Sequence, residues 1–191
     1  MPLVVNKDNM RKEILLAFEQ CIKDKPLNKI TMRDIAAKAN VSHAKVLYYF
    51  GSKQKLLLAY IDEFTEIHIQ FIQTWLQEHK KECSRLSHPR SCIGWLFRDI
   101  FSFDQNNNYY NTFIQIYTMT PYDDKIKSTV RKAYATWKNA IHQFLTELYG
   151  KDMESTSEAL YILIEGILLY STYYELSDTR IETILDSLSK L

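Results

Sequence analysis

An all-α fold is what this sequence predicts, on three observations. Glycine and proline number only 4 each in 191 residues, and Asn-Gly and Asp-Gly, the dipeptides that close tight β-hairpins, are absent. Apolar residues recur at intervals of three and four over long stretches, the period of an amphipathic helix. The breaks between those stretches carry helix-capping and helix-ending residues rather than strand turns. The chain is 46% hydrophobic, enough to bury a core, and its length suits a head of about 50 residues joined to a larger body.

The elements follow in order. Ile14, Leu15, Phe18, Cys21 and Ile22 form one stripe and predict a first helix over residues 10–24. Asp24 to Lys29, with Pro26, reads as a loop whose Leu27 and Ile30 plug a small core. Thr31 opens a short second helix as its N-cap, with Asp34 three residues on as the reciprocal cap. Asn40 suits the left-handed conformation that ends this helix, Ser42 caps a third helix over His43 to Phe50, and Gly51 closes it. Ser52 then caps a long helix running to about Lys81, in which Leu56, Leu57, Tyr60, Ile61, Phe64, Ile67, Phe71, Ile72, Trp75 and Leu76 recur at intervals of three and four. Beyond it, helices are predicted over Pro89 to Phe103, Tyr109 to Met119, Tyr122 to Tyr149, Ser155 to Tyr174 and Thr179 to Lys190, with Asp104 to Asn108 as a polar loop.

Net charge is +1, yet it is unevenly spread: residues 1–60 hold 11 Lys or Arg against 5 Asp or Glu, and the remainder 13 against 18. A basic head on an acidic body is the asymmetry expected where one end meets phosphate. The apolar piece Leu3-Val4-Val5 is too brief for a secretory signal, and the run from Leu160 to Tyr174 is broken by Glu165 and too short to span a bilayer. A cytoplasmic protein with no membrane partner is expected. Three cysteines, Cys21, Cys83 and Cys92, are an odd count at irregular spacing that does not indicate a disulfide framework and fits a reducing compartment.

Two short helices joined by a tight turn and braced by a preceding helix make a helix-turn-helix, whose second helix enters the major groove. Ala36 and Ala39 let the helices approach, Val41 and Val46 fill the wedge, and Phe50 fixes the second helix to its support. The stretch Ile30-Thr31-Met32-Arg33-Asp34-Ile35-Ala36-Ala37-Lys38-Ala39-Asn40-Val41-Ser42, followed by Leu47-Tyr48-Tyr49-Phe50-Gly51-Ser52-Lys53-Gln54-Lys55-Leu56-Leu57, resembles the N-terminal signature of TetR-family (tetracycline-repressor-like) transcription regulators. The resemblance covers about residues 10 to 60; the rest of the chain matches only in helical architecture. It implies a three-helix DNA-binding domain over residues 1–52 and a helical ligand-binding and dimerisation domain over residues 53–191. It also implies a homodimer on a palindromic double-stranded operator, acting as a ligand-responsive repressor.

Carried over residue by residue, Thr31 and Ser42 would touch phosphates as well as cap, and Tyr49 and Lys53 would grip the backbone. His43, Ala44 and Lys45 would face base edges with Tyr48 beside them, and Arg33 completes the set of DNA-contacting candidates. Here Ala44-Lys45 stands where the family often has a small residue and then Thr, and Leu47 where it often has Tyr, so the individual base contacts differ from the family pattern.

In the body, the helix holding Leu160, Ile162, Leu163, Ile164, Ile167, Leu168, Leu169 and Tyr170 is apolar over more than one stripe and needs two partners. With Ile181, Ile184, Leu185 and Leu188 of the last helix, the resemblance makes it half of a four-helix dimer bundle. Aromatic residues are dense, and Trp95, Tyr109, Phe113, Tyr117, Tyr134 and Trp137, with the isolated carboxylate of Glu165, are the candidate effector site. An aromatic pocket with one carboxylate suits a cationic or amphipathic small molecule; a solvated Glu165, or one at a dimer interface, satisfies the same pattern.

His79, Cys83, His88 and Cys92 include two pairs at helical spacing but match no zinc signature, so no metal and no cofactor are expected. No Gly-rich phosphate loop, nucleophile motif or paired His-Glu metal helix is present, so no catalytic residue is assigned and no enzyme is expected.

Overall fold

The structure, a computed structural model, describes residues 7–85, 89–107, 109–150, 152–174, 177, 179–180 and 183–184. The fold is all-α, as predicted. The helices are α1 (Lys7–Asp24), α2 (Met32–Lys38), α3 (His43–Phe50), α4 (Lys53–Cys83), α5 (Pro89–Asn107), α6 (Tyr109–Tyr117), α7 (Asp124–Tyr149) and α8 (Glu154–Ser171), with a 3₁₀ turn at Leu27–Lys29. By contact the chain divides into two compact units, one of Met1–Phe64 and Thr112–Ala133, the other of Thr65–Asn111 and Tyr134–Leu191.

In the first unit, α1 packs on α2 and α2 on α3. Ile14, Phe18, Ile22, Ile35 and Val46 are buried to within 2% of full exclusion, and Leu27 and Ile30 plug the same core at 3% and 2% exposure. Each such side chain contributes about 1.5–3 kcal/mol by leaving water. The caps form where the sequence places them. Thr31 Oγ1 accepts from the Asp34 N–H, while the Asp34 carboxylate accepts from the Thr31 N–H, a full capping box. Asn40 takes φ 52°, the left-handed turn residue between α2 and α3, and Ser42 accepts from the Lys45 N–H. Gly51 ends α3 at φ 71°, a conformation that a β-carbon would strain. The Arg11 guanidinium lies 4.7 Å over the Phe50 ring and ties the end of α3 to α1.

The second unit has its own core of Trp75, Leu96, Phe97, Phe101, Ile141, Phe144, Leu145, Ile164, Ile167 and Leu168. From the end of α4 onward several expectations are corrected. Helix α5 runs to Asn107 rather than Phe103, because Asp and Asn each cost at most about 0.7 kcal/mol in a helix and no Gly or Pro stops it. Helix α6 ends at Tyr117 and α7 begins at Asp124, where Asp123 caps by accepting from the Lys125 and Ile126 N–H groups. Helix α8 ends at Ser171 rather than Tyr174, where the Ser171 and Thr172 hydroxyls donate to the carbonyls of Leu168 and Leu169. Cys83 and Cys92 form a disulfide, buried to 1% and 0% exposure, linking the end of α4 to α5, and Cys21 is the free thiol. The odd count hid a pair plus one core cysteine.

Of the predicted last helix, Thr179 to Lys190, only Thr179, Arg180, Thr183 and Ile184 are described, all helical; Ile181, Leu185 and Leu188, like His88, lie outside the described residues. Among the described residues no helix is long and apolar enough to cross a membrane, and no group of three His, Cys, Asp or Glu residues is gathered to hold a metal ion. His79 instead stacks on Trp75, ring centroids 4.3 Å apart.

Candidate DNA interface and effector site

The α2–α3 corner presents its polar side chains outward. Thr31, Arg33, Ser42, His43 and Ala44 are exposed, Tyr48 is 70% exposed, and Lys45, Tyr49 and Lys53 are partly buried. Ala44 and Tyr48, one turn apart, share an exposed side of α3, His43 is exposed in its first turn, and Val46 and Phe50 anchor the helix at 0% and 5% exposure. Arg33, His43 and the Lys45 ammonium have no hydrogen-bond or ion-pair partner among the described residues. The neighbouring charges are already neutralised, Lys25 on Asp34 at 2.8 Å and Lys38 on Asp24 at 2.7 Å. The Lys25 ammonium and the Thr31 donors hold the Asp34 carboxyl down to about 2, so this cap stays ionised at any physiological pH. The free cations of the corner are thus available to an external anion. Tyr48 and Tyr49 meet edge to face at 5.3 Å, which orients the exposed Tyr48 ring.

Lys53 is different. Its ammonium donates to the Leu27 carbonyl at 2.6 Å, and burial holds its pKa below the ordinary lysine value. The N–H of the same Leu27 donates to Gln115 Oε1 at 2.9 Å, and Gln115 Nε2 donates to the Ile22 carbonyl at 3.3 Å. The 3₁₀ turn between α1 and α2 is therefore held on one side by the first residue of α4 and on the other by α6. Gln115 carries no sequence signal for this role, because its partners are backbone groups 88 and 93 residues away.

In the second unit, four of the candidate effector residues are brought together. Tyr134 donates to Glu165 Oε2 at 3.0 Å, and the Tyr134 ring lies 5.4 Å from that of Trp137. His68 continues the series, 5.7 Å from the Trp137 ring and 5.2 Å from that of Tyr109. Tyr161, not among the candidates, donates to Glu165 Oε1 at 3.1 Å and meets Tyr134 edge to face at 5.4 Å. The i, i+4 spacing of Tyr161 and Glu165 on α8 is the signal that could have found it. Burial pushes the Glu165 carboxyl above the ordinary glutamate value, opposed by the two tyrosine bonds. Trp95 packs instead against the apolar cluster around Trp75 and Leu96. Phe113 and Tyr117 belong to the first unit, where Phe113 stacks on Phe64 at 5.0 Å and Tyr117 is 50% exposed.

A capped, three-helix head whose second-corner helix shows a partner-free polar face is a helix-turn-helix DNA-binding protein of the transcription-regulator class. Residues 14–60 match the model of the bacterial regulatory proteins of the tetR family. These residues are thus a TetR-family DNA-binding segment. The chain is 23% identical over 171 residues, 87% of its length and 85% of the relative, to an HTH-type transcriptional regulator from the lacX 3' region of Lactococcus lactis. Among solved structures it is similar to a transcriptional regulator of Pseudomonas aeruginosa at a TM-score of 0.77, with 14% identity, 98% of this chain and 91% of that one. A TetR-family regulator of Mesorhizobium loti gives 0.76, with 15% identity and 96% and 94% of the two chains. A regulator of Saccharomonospora viridis in complex with choline gives 0.67, with 18% identity and 96% of each chain. At these identities the structures show a shared fold.

Proposed function

We propose that this chain is a ligand-responsive repressor of the cytoplasm that binds a palindromic operator as a homodimer. Residues 1–52 serve DNA and residues 53–191 serve dimerisation and effector binding. The observation that carries the DNA reading is the face of α3, where His43, Ala44 and Tyr48 stand clear of the core beside the unpaired Lys45 and Arg33. Base edges are read by His43, Ala44, Lys45 and Tyr48. Phosphates are held by Thr31, Arg33, Ser42, Tyr49 and Lys53, sorting position from sequence in the usual way.

The dimer is supported by α8. Ile162 is 66% exposed, Leu169 44%, Tyr170 38% and Tyr173 75%, and these residues recur at helical spacing on one stripe. Gly166 lies on that stripe with open space where its β-carbon would be, which lets a second helix approach closely. Apolar exposure of this kind marks an interaction surface. A symmetric dimer places its two recognition helices about 34 Å apart, on half-sites one turn of DNA apart. An effector that binds better to another separation lowers operator affinity by its differential binding to the two states. The neighbour in complex with choline supports a small-molecule effector in this fold.

The test begins with the genomic fragments retained by the purified protein, whose common sequence gives the operator. Wild-type protein is expected to shift that duplex as a dimer, with affinity falling steeply as salt rises. Ile162→Glu and Leu169→Glu are expected to give monomers by light scattering and to lose the shift. A native monomer that binds the duplex tightly, or retained fragments with no symmetric sequence, would overturn the reading.

A further inference from the structure

We infer that the effector is an organic cation of the alkylammonium kind, held by the carboxylate of Glu165 between Tyr134, Tyr161 and Trp137. The inference rests on the proposed effector reading and names its ligand class. Glu165, Tyr134 and Tyr161 are each partly buried and keep some exposed surface, while Trp137 is buried. Both carboxylate oxygens are engaged, each by a tyrosine hydroxyl, at 3.0 and 3.1 Å. Hydroxyl donors orient the carboxylate but leave its charge in place. No Lys, Arg or His pairs with it among the described residues; the nearby Lys138 is engaged with Glu158.

A desolvated carboxylate without a counter-charge is costly, and a ligand that brings the charge removes that cost. The surroundings select the kind of cation. Tyr134 contacts Trp137 on one side and Tyr161 on the other, both at 5.4 Å, so the two tyrosines that bond the carboxylate continue into a third aromatic ring. Ring faces attract weakly hydrated, bulky cations such as alkylammonium groups. A hard divalent ion would need several oxygen or nitrogen ligands, and among the described residues no such group is gathered.

The experiment compares tetramethylammonium with tert-butanol, an uncharged molecule of similar size, by saturation-transfer NMR on the full chain at constant ionic strength. Tetramethylammonium is expected to bind at least ten-fold more tightly than tert-butanol. Glu165→Gln, checked for folding by circular dichroism, is expected to remove that preference. Equal binding of the two probes, no detectable tetramethylammonium binding, or a folded Glu165→Gln protein that keeps the preference would overturn the inference. The comparison of probes on the wild-type chain decides even if the variant does not fold. Operator release is measured separately. A cation that binds through Glu165 without releasing operator sustains the site and refutes the sensing role. A neutral molecule that releases operator while the cation does not bind refutes the site and sustains the sensing role.

Discussion

Lys53 is where a DNA role and a structural role make different demands on one side chain. Its ammonium donates to the carbonyl of Leu27, which is 3% exposed, at 2.6 Å. Lys53→Met keeps the aliphatic stem and removes only the charged donor. A hydrogen bond from a charged group contributes about 1.5–3 kcal/mol when sheltered. Lys53 is only partly buried, and solvent screening reduces the expected loss to about 1–2 kcal/mol. For a chain of this size that is a fall of about 2–8 °C in melting temperature. The assay is urea and thermal unfolding without DNA, at one fixed protein concentration, beside Lys45→Ala. Lys45 makes no side-chain bond among the described residues, so its loss is expected to stay within about 0.5 kcal/mol. An ammonium has three donors and can hold Leu27 while reaching a phosphate. The operator salt slope of Lys53→Met is therefore expected to fall by about 0.9 per lost phosphate contact. For Lys45→Ala the expected change is relaxed preference at one base pair of each half-site, about 1–3 kcal/mol of discrimination. Unchanged stability of Lys53→Met would refute the brace. An unchanged sequence profile with a flatter salt slope for Lys45→Ala would make it a second backbone clamp.

Gln115→Leu removes the bond to Leu27 of the turn and the bond to Ile22 of α1 and strands the Leu27 N–H, so a loss of about 2 kcal/mol is expected in urea unfolding; an unchanged midpoint would show that the clamp does not matter. Burial raises the folded pKa of Glu165 above its unfolded value, so the ionised form opposes folding: the penalty is absent below the unfolded pKa and complete above the folded one. Glu165→Gln is therefore expected to melt higher than wild type at about pH 8, with the difference vanishing near about pH 4; a constant difference across that range would contradict the assignment. Thiol titration of the denatured chain is expected to find Cys21 alone without reductant and all three cysteines after reduction. Reduction is expected to cost about 2–3 kcal/mol for a loop this short, and three thiols without reductant would rule the bond out.

What could be read from the sequence depended on how far apart the interacting residues lie. The caps at Thr31 and Ser42, the turn at Asn40 and the stop at Gly51 are each settled within one helical turn, so residue type alone placed them. The α5 boundary lies beyond the sequence expectation because a polar run without Gly or Pro permits a helix to continue as readily as it forms a loop. The Cys83–Cys92 bond and the Gln115 clamp join separate elements, and neither composition nor periodicity reports such a meeting. Glu165 falls on both sides of this divide. Its bond to Tyr161 is local to α8 and was legible as an i, i+4 pair, whereas its bond to Tyr134 spans 31 residues and required the packing of α7 on α8. A carboxylate with one local tyrosine can still turn to solvent. The second hydroxyl, from another helix, engages the other oxygen, and it is this long-range bond that distinguishes an oriented carboxylate from a freely solvated one.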